Sequence, residues 1–72
     1  MAESALAAIQ RQQIEIAVGE LLLNSDYYMH EGIIERLHHL IAHADRTLDI
    51  SQFSEMAREE LQELNLLPSQ EA

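Results

Sequence analysis

The sequence predicts an all-α protomer of three helices, with a long N-terminal helix, that assembles into a helical homodimer. Composition is the first reason. Apolar residues make up 47% of the chain, aromatics only 4%, and there are two glycines and one proline. The apolar content is therefore mostly Leu, Ile and Ala, whereas strand-rich domains draw on β-branched and aromatic residues and many turn glycines. The second reason is periodicity: three segments repeat their apolar residues at helical spacing, divided by two short clusters of turn formers. The third is size. A chain of 72 residues without cysteine buries only about 60% of its unfolded surface as a monomer. Disulfides, a metal or oligomerisation usually support so small a core, and the first is ruled out.

Helix one is predicted from about Ser4 to Leu23. Ser4 or Glu3 starts it, and Asn24 suits the left-handed residue that often follows a helix. At about 100° per residue, Leu6, Ile14, Ala17, Val18, Leu21 and Leu22 form one broad apolar face. Ile9, Ile16 and Leu23 form a second stripe, nearly opposite, at heptad spacing. A monomer's surface helix needs one apolar face; two faces imply the protein's own core and a second copy of the chain.

Helix two is predicted from about Met29, after the turn formers Asn24-Ser25-Asp26, to Ala44. Ile33, Ile34, Leu37, Leu40, Ile41 and Ala44 make its stripe, and Glu31, Glu35, Arg36, His38, His39 and His43 occupy the remainder. A second break, Ala44 to Asp49, carries Asp45, Thr47 and Asp49. Helix three is predicted over 50–66. Asp49 with Gln52 resembles a capping box, with Leu48 and Phe53 placed as a hydrophobic staple. Ile50, Phe53, Met56, Ala57, Leu61 and Leu64 form its apolar side. Pro68 stops the helix near Leu66, leaving a frayed tail over 68–72.

Thirteen acidic residues against four arginines, with no lysine, give a formal charge of −9. A duplex-DNA binder needs a basic face, so nucleic acid is an unfavoured partner. The same deficit argues against anionic membranes. No apolar run reaches the ~18 residues of a membrane span. The start Met1-Ala2-Glu3-Ser4 lacks the basic opening of a signal peptide, so the expected location is the cytoplasm and no membrane partner is expected.

The sharpest chemical constellation is Glu35, His39 and His43, four apart on one helix face, where two imidazoles at i and i+4 can share a transition metal. No cysteine or further ligand completes the set, and a solvated face with a Glu35–His39 pair explains the same residues. No metal and no cofactor are therefore expected. Histidine is the residue type that gains charge in moderate acid, so the four histidines offer a pH-dependent association, against the plainer reading of exposed histidines without consequence. Tyr27 and Tyr28, beside the first break, are candidates for a partner-binding surface or for packing over the corner between helices one and two. The acidic residues of helix three, Glu55 and Glu59 among them, suit a binding surface as well as a solvated face. No serine sits in a nucleophile elbow and no glycine-rich phosphate loop exists, so no catalytic residue is assigned and the protein is not expected to be an enzyme.

From Ile14 to Leu61 the chain reads IEIAVGELLLNSDYYMHEGIIERLHHLIAHADRTLDISQFSEMAREEL. An amphipathic helix runs into the turn Leu22-Leu23-Asn24-Ser25-Asp26. A helix opening with Ile33-Ile34 and continuing through Leu37, Leu40 and Ile41 follows, then an acidic break at Asp45 and a third helix. This pattern resembles the YmgB/AriR-like connector proteins linked to the Rcs phosphorelay, which regulate biofilm formation and acid resistance. The resemblance covers about two-thirds of the chain and rests on aliphatic positions, not on a chemical motif. It implies a small helical homodimer that regulates through protein contact, with a response regulator as the leading partner. The histidine-rich second helix and the Leu66-Leu67-Pro68 tail depart from the pattern.

The function expected is thus a non-enzymatic regulatory adaptor in two-component, biofilm or stress signalling. The alternatives are a dimeric helix-turn-helix regulator of transcription and an acidic inhibitor that imitates nucleic acid. Helix three begins Asp49-Ile50-Ser51-Gln52 and continues with Glu55, Glu59 and Glu60, acids that would face phosphates in the second reading.

Overall fold

The structure, a computed structural model, describes residues 3–24 and 27–67, excepting the side chain of Tyr27. All regular structure in these residues is helical: α1 (Ala5–Leu23), α2 (Tyr27–Ala42), a 3₁₀ turn (Ile50–Gln52) and α3 (Glu55–Glu63). Both α2 and α3 pack on α1, and they touch each other far less. The longest helix is therefore the hub of the fold.

Ser4 caps α1, its hydroxyl accepting the N–H of Ala7 at 3.0 Å, the bond a serine N-cap provides. The buried face is Ala7, Ile14, Ala17, Val18 and Leu21. Leu6 and Leu22, expected on this face, are largely exposed. Each lies roughly 80° around the helix from Ile14, whereas Ala7 lies about 20° from it, so the small residue is inside. Asn24 does not take the left-handed conformation expected of it. It is extended (φ −93°, ψ 119°), its N–H donating to the Glu20 carbonyl. Ser25 and Asp26 of the predicted turn lie outside the described residues.

Two boundaries of α2 differ from expectation. It starts at Tyr27 instead of Met29, because the aromatic pair only mildly disfavours a helix and nothing there breaks one. It ends at Ala42 instead of Ala44, because Gln10 of α1 takes over the backbone beyond it: the Gln10 amide donates to the His43 carbonyl (3.3 Å) and its oxygen accepts the Asp45 N–H (2.8 Å). Ile33 and Leu37 are buried, with Ile34, Leu40 and Ile41 packed around them.

The single third helix predicted over 50–66 is divided. Asp49 accepts the Ser51 N–H and caps only the short 3₁₀ turn. Phe53 is extended (φ −67°, ψ 149°) and buries its ring in the core. Ser54 then starts α3, accepting the Ala57 N–H at 3.2 Å. This second cap sets the register, with Ala57 and Leu61 inward. It turns Met56, expected on the apolar side, outward to 64% exposure. The helix ends at Glu63 and not Leu66, in a Schellman motif: Asn65 is left-handed (φ 59°), its N–H bonds the Gln62 carbonyl, and the Leu66 N–H reaches back to the Leu61 carbonyl, the two reversed bonds that define this C-cap. The reversal returns Leu66 and Leu67 to the core beside Leu61. The predicted frayed tail, 68–72, lies outside the described residues.

Candidate interaction surface

Side-chain bonds fix α1 at both ends. At its start, the Ser4 hydroxyl donates to Asp45, and the Ser4 N–H donates to the Thr47 hydroxyl at 3.0 Å. Thr47 in turn gives its own N–H and hydroxyl to Asp45. Glu3 accepts the Asp49 N–H at 2.9 Å and pairs with Arg11 at 3.0 Å. The Thr47 hydroxyl and N–H hold the Asp45 carboxyl below its usual value, with help from Ser4 and against the opposing effect of burial. Asp49 is lowered likewise by the Ser51 hydroxyl and N–H. Further along, Glu15 accepts both the N–H and the hydroxyl of Ser54, and Glu20 bridges to Arg36 at 3.0 Å on the surface.

With α2 on one flank and α3 on the other, the third side of α1 faces outward. Ile9, Ile16 and Leu23 lie there, exposed by 54%, 64% and 89%, roughly opposite Ile14 around the helix. The stripe read from the sequence thus points outward along one side of α1, its three members about two turns apart. Beside its C-terminal end runs a groove of about 230 Å³ between α1 and α3, whose lining includes Leu22, Leu23 and Met56. Sequence reasoning missed this extension because it placed Leu22 and Met56 in the core.

Glu35 and His39 on the outside of α2 and His43 just after its end come together. They line a groove of about 560 Å³ with Gln10 and Gln13 of α1 and with Arg36. The rings of His39 and His43 stack face to face, centroids 5.1 Å apart and planes 25° from parallel. Among the described residues no group of three or more His, Asp or Glu side chains is arranged to hold a metal ion.

Tyr28 is 92% exposed on the first turn of α2, and the side chain of Tyr27 lies outside the described residues. Glu55 and Glu59 are exposed one turn apart on the outer side of α3. No helix among the described residues is long and apolar enough to cross a membrane. Comparison of the chain with protein-family models, curated proteins and solved structures found no match.

Proposed function

We propose that the protein is a small non-enzymatic regulatory adaptor that acts by protein–protein contact as a homodimer. The observation that carries this reading is the row Ile9, Ile16 and Leu23, held outward on the helix to which the rest of the fold is anchored. Three large aliphatic side chains aligned on one exposed face mark an association surface better than scattered apolar residues do. The second copy takes this row. The exposed ring of Tyr28 on α2 and the carboxylates of Glu55 and Glu59 on α3 are the surface a different partner would touch. The similarity to YmgB/AriR-like connector proteins favours a cytoplasmic signalling protein such as a response regulator as that partner.

The loop geometry weighs against the DNA-binding alternative. Residues 43–54, with a 3₁₀ turn among them, separate α2 from α3, whereas a helix-turn-helix joins its helices by about 3–4 residues. The acids on α3 would also face phosphates.

A pull-down from source cells, using the wild type and a Tyr28→Ala/Glu55→Gln/Glu59→Gln variant side by side, tests the adaptor role. The expected result is a signalling protein retained by the wild type and lost by the variant. Sequence-specific nanomolar binding in a salt-titrated DNA mobility shift would overturn it.

A further inference from the structure

We propose that His39 and His43 form an open, exchangeable site for a divalent transition-metal ion such as Zn²⁺, with water filling the positions the two imidazoles leave. This goes beyond the adaptor reading and depends neither on it nor on the homodimer. It rests on how the last turn of α2 is built. The helix ends at Ala42, yet the His43 N–H still donates to the His39 carbonyl at 3.1 Å. The i, i+4 register therefore runs through both histidines, and residues so spaced lie one above the other on one side of a helical turn. Both side chains are exposed, and their rings stack with centroids 5.1 Å apart. Spacing alone leaves each ring free to point elsewhere. The stack puts both over the same turn, where rotation about the side-chain torsions aims a nitrogen of each at one ion.

The surroundings suit a cation. Gln10 of α1 donates to the His43 carbonyl and accepts the Asp45 N–H, so the backbone beneath the pair is fixed before any ion arrives, which lowers the cost of binding. The groove of about 560 Å³ leaves room for an ion and its water. Of its charged lining, Arg36 is already bonded to Glu20 at 3.0 Å. Glu35, one turn before His39 in the same groove, is a carboxylate that can accept a hydrogen bond from metal-bound water, the outer-sphere role that tunes many metal sites.

Neutral imidazole selects transition ions, whereas Mg²⁺ and Ca²⁺ take oxygen ligands. The distinction is useful here, because a chain of net charge −9 attracts every divalent cation weakly. Among the described residues no third His, Asp or Glu is arranged to join the pair. Two protein ligands are fewer than a structural or a catalytic zinc site has, so the ion exchanges with solvent and is not needed for folding. Once bound, it cross-links the last turn of α2 and reinforces the stretch that Gln10 holds.

The test is calorimetric titration of Zn²⁺ and, separately, Mg²⁺ into the full chain carrying no histidine tag, at about pH 7.5 because imidazole binds metal in its neutral form. His39→Ala, His43→Ala and His38→Ala are titrated alongside. All three positions are exposed, and circular dichroism checks that each variant keeps its helices. The expected result is one Zn²⁺ per chain with a dissociation constant on the order of 10 μM, and no measurable heat from Mg²⁺ at the same concentrations. His39→Ala and His43→Ala should each weaken Zn²⁺ binding by at least about tenfold. His38→Ala, whose side chain is not in the groove, should leave it unchanged. Zn²⁺ affinity only in the millimolar range, Mg²⁺ binding as well as Zn²⁺, or Zn²⁺ binding that survives both His39→Ala and His43→Ala would each overturn the site.

Discussion

The carboxylate of Glu15 accepts both the backbone N–H and the hydroxyl of Ser54, each at 3.0 Å. The same hydroxyl oxygen accepts the N–H of Ala57 and begins α3. One serine thus starts a helix and ties it to α1. Removing it deletes a cap and leaves a carboxylate short of a donor. Ser54→Ala should lower stability by about 1–2 kcal/mol. In a protein this size that is a fall in Tm of roughly 4–8 °C per kcal/mol. Ser51→Ala, which alters only the 3₁₀ turn, should cost clearly less in the same thermal melts.

The Schellman motif makes Asn65 a position where the backbone dictates the side chain. At φ 59° a β-branched residue is strained and glycine is not. Asn65→Gly should leave the melting temperature within a few degrees of wild type, and Asn65→Val should lower it by the equivalent of about 1–2 kcal/mol.

The purpose of that turn is to bring Leu66 and Leu67 into the core, where they are buried beside Leu61. Leu66→Ala should cost about 2–4 kcal/mol in urea unfolding, a large share of the stability of so small a chain. Little or no change would mean that the segment after α3 does not contribute to the core.

Asp45 and Asp49 make stability depend on acid. Their folded carboxyls titrate below the ordinary value of 3.8 because hydroxyl and amide donors favour the charged form. Groups depressed in the folded state contribute stability that is fully present above the unfolded value and is lost as pH falls through the folded one. Urea midpoints of wild type and Asp45→Ala should therefore differ at neutral pH and converge as the pH drops below about 4. A gap that stays constant to pH 3 would exclude a role for the charge at Asp45.

Periodicity alone located the three helices and separated the buried side of α1 from the row Ile9, Ile16, Leu23. Those patterns depend on spacing within one segment. What could not be read depended on contacts between segments. Gln10 takes the backbone of His43 and Asp45 and cuts α2 short, and nothing local in α2 announces it. In the third segment two residues could cap a helix, Asp49 and Ser54. The choice fell to Phe53, whose burial needs an extended backbone between them. Asp49 caps only the 3₁₀ turn, Ser54 begins α3, and Met56 faces outward beside Leu23. Asn65 was a signal present in the sequence: an asparagine four residues after a core leucine and followed by another is the composition of a Schellman turn. Glu35 and His39 of α2 and His43 just beyond its end meet in one groove, and this was legible from their i, i+4 spacing.

The central claim is that the outward face of α1 is where one copy meets another. Sedimentation equilibrium of the wild type and of Ile16→Glu tests it most directly, because a carboxylate at the middle of the stripe is well solvated in the monomer and unpaired in the dimer. The account predicts a wild type that is dimeric at about 100 μM and an Ile16→Glu variant that is monomeric there, with its helical circular dichroism intact. An Ile16→Glu variant that remains fully dimeric at micromolar concentration would contradict it.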